Sequence, residues 1–561
     1  MKNIKIIIIL LTVAILMCGG WFVSGADMEY MLAELTYSKE NKIESDIIFS
    51  KPTGFYEDAF ELKVYAPSKE IYYTLDGSEP TKESYRYENS IMIYDASENE
   101  NTNSERMDVS SNFFAEGTAY KVPVDFIDKC TILKVAYYDK MGRKSKSEER
   151  VYFVGFDEKS GYENVNIISI TADPEDLFGN EKGIYVLGET FEKFESEYNI
   201  NDYAEYIWDA NYKKRGIEWE REAQIHVFNA KKELVLSQKT GIRVQGGASR
   251  SFNPKSLNIY ARDEYSYDQL RYDFWGTGYY PKRVTLTTGG NDYYGKMKDR
   301  LVAELSENSN FSKMHYSPYV LFLNGEYWGV YYLTEKYDEN YVEHYYSVNR
   351  DNVIMIKNNG LETGTAADFA TYEKMRNFIE QADMRKEENY KKSCELIDMD
   401  SFIDYYATEI YIARNIDWPE GNFALWRSRG VSERNYEDGK WRWMLFDVNT
   451  DSLRGGLVDH DTLAYVLETC PMFENLSQNS QFRNAFSKRL REIRDSVFEE
   501  QLANEKIDEY KLLMTEPMEK HLYRFFNING EKFREERSDM RAFIALRTDY
   551  IDIMLKQNGF D

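Results

Sequence analysis

The sequence predicts an α+β chain, a small all-β sandwich followed by a larger domain whose strands come first and whose helices come last. Three observations carry that expectation. Between Ile47 and residue 156, short alternating runs (FELKVYAP, EIYYTLDG, SIMIYDA, TILKVAYYD, ERVYFVGF) are separated by turn signals such as Asp76-Gly77 and Met141-Gly142. From about residue 160 to 360, strand-like runs alternate with helical stretches, and beyond 360 the helical period dominates. With 42% hydrophobic residues and 46 tyrosines in 561 positions, the chain has material for more than one packed core.

The elements follow in order. Residues 1–26 hold two lysines and an apolar run from Ile6 to Val23, which reads as a signal peptide or an uncleaved signal anchor. The body is therefore expected outside the cytoplasm, with membrane contact only through this segment if it is retained. Residues 27–46 form a polar linker, and 47–156 the β-sandwich, with a long Asn- and Ser-rich loop near 98–118. The strands of the larger domain, 160–555, are IISITA, QIHVFNA, GIRVQGG, KSLNIYAR, RVTLTTGG, YVLFLNG and YWGVYYLTEKYD. Its helices are AADFATYEKMRNFIEQADM, NYKKSCELIDMDSFIDYYATEIYIARN, SQFRNAFSKRLREIRDSVFE and SDMRAFIALRTDYIDIML. A net charge of −26 argues against nucleic acid as a partner, because phosphate neutralisation needs a basic surface. Cys130, Cys394, Cys470 and the five histidines are scattered, with no zinc or disulfide spacing, so a metal would sit on oxygens.

Four pieces carry chemistry. In GIRVQGGASRSFNPKSLNIYARD, Gly246 and Gly247 let backbone approach a ligand, and Lys255 or Arg250 supplies positive charge. In MKDRLVAEL, Asp299 or Glu304 is a candidate ion-pair partner for Lys255. In YVLFLNGEYWGVYYLTEKYDENYV, Asn324-Gly325 marks a hairpin whose second strand runs through Glu335 toward a connection between lobes. The last piece joins NIDWPEGNFALW, where Asp417 and Asn422 stand five apart, to KWRWMLFDVNTD, where Asp447 and Asn449 group oxygen donors suited to Mg²⁺ at a strand end. A strand lysine, a helix acid, Asp-x4-Asn and a strand-end Asp is the order of parts in a protein kinase.

These blocks resemble the spore-coat protein H (CotH) kinase family, and YYTLDGSEPT with LKVAYYDKMGRKSKSEERVYFV resembles the chitobiase C-terminal-like, Fn3-associated β-domains. The first resemblance implies an atypical, two-lobed, protein-kinase-like fold that moves the γ-phosphoryl of ATP, with Mg²⁺, to Ser or Thr of a secreted or surface protein. It assigns Lys255 to the nucleotide phosphates, Asp417 to catalysis, Asn422 and Asp447 to metal, and Glu335 to the hinge near the nucleotide. Members often read D-x-D at the metal strand, where this chain has Asp447-Val448-Asn449. The acidic surface points to a basic or Ser-rich acceptor. Two other readings stand beside it: an inactive kinase-fold protein of the surface or envelope, and a sugar-active enzyme using Asp417 and Glu420.

Overall fold

The computed structural model of the protein describes residues 46–111 and 120–561. The leader, the linker through residue 45 and positions 112–118 of the expected loop lie outside the described residues. The N-terminal β-domain contains a five-stranded sheet, β1 (Gly54–Tyr56), β2 (Glu70–Thr74), β3 (Tyr85–Arg86), β4 (Thr131–Tyr138) and β5 (Glu148–Val154), in the order β1-β5-β4-β2-β3. Two short ladders, Ile48–Phe49 with Val64–Tyr65 and Phe60–Leu62 with Ile91–Ile93, pack over it and enclose Phe49, Leu62, Ile93, Leu133 and Val135.

Strand period explains how this domain attaches. Leu133, Val135, Tyr152 and Val154 fill its own core, while the alternate residues Ile132, Val151 and Phe153 belong to a second core that includes Phe322 and Phe525. β4 and β5 are thus buried on both faces. A buried carboxylate reinforces the joint: Glu326 accepts the backbone N–H groups of Thr102 (2.6 Å), Asn103 (3.1 Å) and Ser104 (2.7 Å). Glu326→Ala leaves those donors without their charged partner, and charge-assisted hydrogen bonds are worth about 1.5–3 kcal/mol each. The expected result is faster proteolytic cleavage within residues 98–111 while the rest of the chain stays resistant; an unchanged cleavage pattern counts against the clamp.

The next seven strands are β6 (Asn166–Ala172), β7 (Arg221–Phe228), β8 (Leu234–Val244), β9 (Leu257–Tyr260), β10 (Arg283–Thr287), β11 (Tyr316–Leu323) and β12 (Glu326–Glu335). They close into a barrel in the order β6-β7-β8-β9-β10-β12-β11, parallel only where β11 meets β6. The β11–β12 hairpin turns at Asn324 (φ 45°) and Gly325 (φ 84°), both in the left-handed region that a two-residue type I′ turn requires. Every residue of β12 is buried, Trp328, Tyr331 and Leu333 toward the barrel interior and Tyr327, Val330 and Tyr332 toward the helices.

The helical part comprises α1 (Lys298–Leu305), α2 (Glu339–Tyr346), α3 (Ala366–Gln381), α4 (Met399–Tyr411), α5 (Ser480–Glu492), α6 (Glu500–Phe526) and α7 (Glu531–Gln557), with shorter helices between. The long periodic stretch ending at residue 415 divides in two, because the Asp398 side chain accepts Ser401 N–H and caps α4 as a new start. α4 is buried on all sides from Ser401 to Tyr411. α6 is an addition to the expected helices, since Pro517 inside it breaks the helical signal. A second sheet, β13 (Val353–Lys357), β14 (Gly360–Thr363), β15 (Ala424–Ser428) and β16 (Arg442–Met444), is antiparallel in the order β14-β13-β15-β16. Among the described residues no helix is long and apolar enough to cross a membrane.

Candidate functional site

The rim of the barrel and the four-stranded sheet face each other across a cleft of about 730 Å³. One wall is the turn after β8, where Gly246 (φ 122°) leads into a short 3₁₀ segment, Ala248–Ser251. The opposite wall is the loop between α4 and β15. Trp418 anchors this loop, 1% exposed, with its indole N–H on the Tyr405 hydroxyl (3.0 Å) and its carbonyl on Tyr465 (2.8 Å). Asp417 and Asn422, on either side of that anchor, both border the cleft. Neither side chain makes a hydrogen bond or ion pair within the protein among the described residues.

Backbone conformation marks the same place. Asp417 (φ 60°), Asn422 (φ 47°), Asp447 (φ 53°) and Asp451 (φ 44°) are all left-handed, a region Asn and Asp tolerate and most other residues avoid. Ala413 (φ 62°) and Leu453 (φ 51°), which lack that tolerance, adopt it too. Such clustering is typical of functional sites, where surrounding structure holds the strain.

Beyond β16, Asp447 meets Asp299, which the first turn of α1 carries. The two carboxylates are bridged by the Asn449 amide, whose Nδ2 donates to Asp447 Oδ1 and to Asp299 Oδ2, 2.7 Å each. Val448 N–H also donates to Asp299 (2.8 Å), and Asn449 Oδ1 accepts Asn291 N–H (3.1 Å). Burial, and then the neighbouring charge of Asp447, push the Asp299 carboxyl above the usual range. Behind them Arg414, wholly buried, donates to the Asp447 carbonyl (3.0 Å) and lies 3.6 Å from Glu409.

This geometry corrects several expected roles. Lys255 is absent from the cleft wall: its ammonium donates to the carbonyls of Arg250 (2.5 Å) and Phe252 (2.9 Å) and sits 3.8 Å over the Tyr212 ring. Burial pulls its pKa well below the usual lysine range. Neither expected acid pairs with it, since Glu304 binds Arg300 (2.6 Å) and Asp299 belongs to the Asp447 cluster. Arg250 borders the cleft, but its guanidinium is spent on the carbonyls of Gly246, Tyr212 and Lys214. Glu335 also borders the cleft, with its carboxylate held by His315 N–H (2.6 Å) and the Tyr345 hydroxyl (2.8 Å). Asn449 orients the two acids rather than presenting a free oxygen.

Sequence reasoning missed three residues. Arg414 stands three positions before Asp417 and ties the loop to the Asp447 turn. Lys336, just past β12, and Lys357, at the end of β13, both border the cleft, and among the described residues neither has a carboxylate within ion-pair distance.

For a divalent cation the fit rests on the donor set. Among the described residues no three His, Cys, Asp or Glu side chains group as a metal site. Two carboxylates joined by one amide, in the same cleft as the unbonded Asn422 amide, nonetheless suit Mg²⁺, which takes few protein ligands and keeps several waters. Asn449→Asp puts a third charge into the pair. It is expected to cost about 1–3 kcal/mol of stability without metal, as for an unsatisfied buried group, seen as a lower melting temperature, and to enlarge the Mg²⁺-induced rise. Equal metal shifts in variant and parent run against this reading.

The fold and cleft define an α+β protein with a glycine-rich turn facing a hard, acidic donor set. Residues 242–551 match the CotH kinase protein family, more than half of the chain, and the chain belongs to that family. Residues 51–99 match the chitobiase/β-hexosaminidase C-terminal domain, within the N-terminal β-domain. No curated protein matches the chain.

Proposed function

We propose that the chain is an atypical protein kinase that works outside the cytoplasm, its barrel and helical parts serving as two lobes around the cleft. The reaction is transfer of the ATP γ-phosphoryl group to a Ser or Thr hydroxyl of a secreted or surface protein. One observation carries the reading: Asp417 and Asn422 stand unbonded on one anchored loop, in the same cleft as the Asp447–Asp299 pair and the Gly246-Gly247 turn.

Each residue then has a role. Asp417 accepts the proton of the acceptor hydroxyl as it attacks. Asp447, Asp299 and Asn422 would hold Mg²⁺, which when bound neutralises charge on the phosphate oxygens. Asn449 keeps the two carboxylates aimed, and backbone N–H groups of the Gly246–Ser249 turn lie where phosphate oxygens can be cradled. The N-terminal leader supports the location, and the net charge of −26 supports a basic, Ser-containing acceptor.

The test is transfer of label from γ-labelled ATP with Mg²⁺, to the chain itself or to basic Ser-rich proteins. Label on serine or threonine is expected; none on any acceptor contradicts the reading. The Asn449 amide favours a second reading, a non-catalytic surface protein, because it is neutral where family members often carry a second Asp and its N–H groups already tie up both acids. Absence of Mg²⁺–ATP binding by calorimetry selects that alternative.

A further inference from the structure

Two lysines of the cleft, Lys336 and Lys357, form no ion pair among the described residues. Lys336 follows the last residue of β12, and Lys357 ends β13, so one comes from the barrel and the other from the opposing sheet. Both border the cleft. Lys357 lies 3.9 Å over the Phe446 ring, one residue before Asp447. Both stay without an ion pair although the protein carries a net charge of −26. The groups that face the pair are Arg283, Asp338, Glu362 and Asp447, none within ion-pair distance of either ammonium.

Two like charges brought together out of water are unfavourable unless one gives up its proton or an anion joins them. Burial, followed by the charge of Lys357, lowers Lys336 to about 7, and burial lowers Lys357 as well. A stability role would use the lysines as Lys255 is used, each ammonium capped by carbonyls. Instead both border the cleft that the Gly246-Gly247 turn and Asp447 also line.

We propose that Lys336 and Lys357 together form the receptor for a polyphosphate chain, one lysine from each side of the cleft, and that Lys255 serves only to hold the glycine-rich turn. The inference rests on the nucleotide reading above for the identity of the natural ligand, but its chemistry is that of a linear polyanion with two or more charges. A receptor split between two elements also makes binding draw the barrel and the sheet together, since the same anion satisfies both.

The experiment uses the full chain and inorganic tripolyphosphate, ADP and ATP, titrated calorimetrically with and without Mg²⁺. The parent protein is expected to bind tripolyphosphate without metal. Lys336→Met and Lys357→Met are each expected to weaken it at least tenfold, with Lys357→Arg losing less than Lys357→Met. Lys255→Met is expected to lower the melting temperature and to change affinity less than threefold. Melting curves identify any variant that has lost its fold, and the Arg variant separates lost charge from lost packing. Unchanged affinity in both folded Met variants, or loss confined to Lys255→Met, overturns the inference while leaving the kinase reading intact. Lysine-dependent tripolyphosphate binding without ATP binding upholds the inference and removes the kinase reading. No binding of any of the three ligands by the parent removes both.

Discussion

Asp417→Ala is expected to cut phosphoryl transfer by about 10²–10⁴, the range that a positioned general base contributes. Nucleotide affinity should change little, because Asp417 is exposed and makes no side-chain bond within the described protein. The fold should survive as well. Trp418, not Asp417, anchors the loop, through Tyr405 and Tyr465. Single-turnover transfer alongside calorimetric ATP titration separates these effects. Equal losses in binding and transfer would assign Asp417 to nucleotide binding instead.

Arg414→Met is expected to have the largest effect on stability, about 3–5 kcal/mol, as when one partner of a buried ion pair is removed. Arg414 and Glu409 are both fully buried, 3.6 Å apart, and Arg414 also supplies the hydrogen bond to the Asp447 carbonyl. Burial raises the Glu409 carboxyl to about 7, with Arg414 acting against that rise. Its native pKa is thus above its unfolded value, so between about 4.5 and 7 the native state binds more protons and stability falls as pH rises. Without Arg414 this fall should extend to higher pH. Arg414→Met/Glu409→Gln, which removes both charges, should recover much of the loss, because replacing both ions is often near neutral. Urea unfolding from pH 5 to 8 reads both effects; a single variant as stable as the parent at pH 8 would contradict the pairing.

The loop spacing was legible in the sequence because a turn displays its side chains whatever the surrounding fold. Asp417 and Asn422 therefore reached the cleft as expected, and Asp447 followed from its position at the end of an apolar strand. Lys255 was misread through strand parity. It shares the face of Leu257 and Ile259, both buried in the barrel core, whereas Ser256 and Asn258 face the cleft. The same geometry decides between the two acids of α1. Five residues is far from a whole number of helical turns, so Asp299 and Glu304 point in different directions, one to Asp447 and the other to Arg300.

What the sequence did not disclose is long-range. The closed barrel depends on a parallel contact between β6 and β11, more than a hundred residues apart, with no local signature. The tight seating of the β-domain depends on both faces of β4 and β5 being apolar, which a short alternating run conceals. Asn449 stood out at the sequence level as a missing charge. Its bridging amide became apparent only once α1 was brought against the end of β16.

The most direct measurement is a crystal structure of the chain with Mg²⁺ and a non-hydrolysable ATP analogue. The account predicts the triphosphate between the Gly246-Gly247 turn and the Lys336–Lys357 pair, Mg²⁺ on Asp447, and Asp417 open toward the space beyond the γ-phosphate. A nucleotide bound elsewhere, or a cleft that stays empty at saturating analogue, would contradict it.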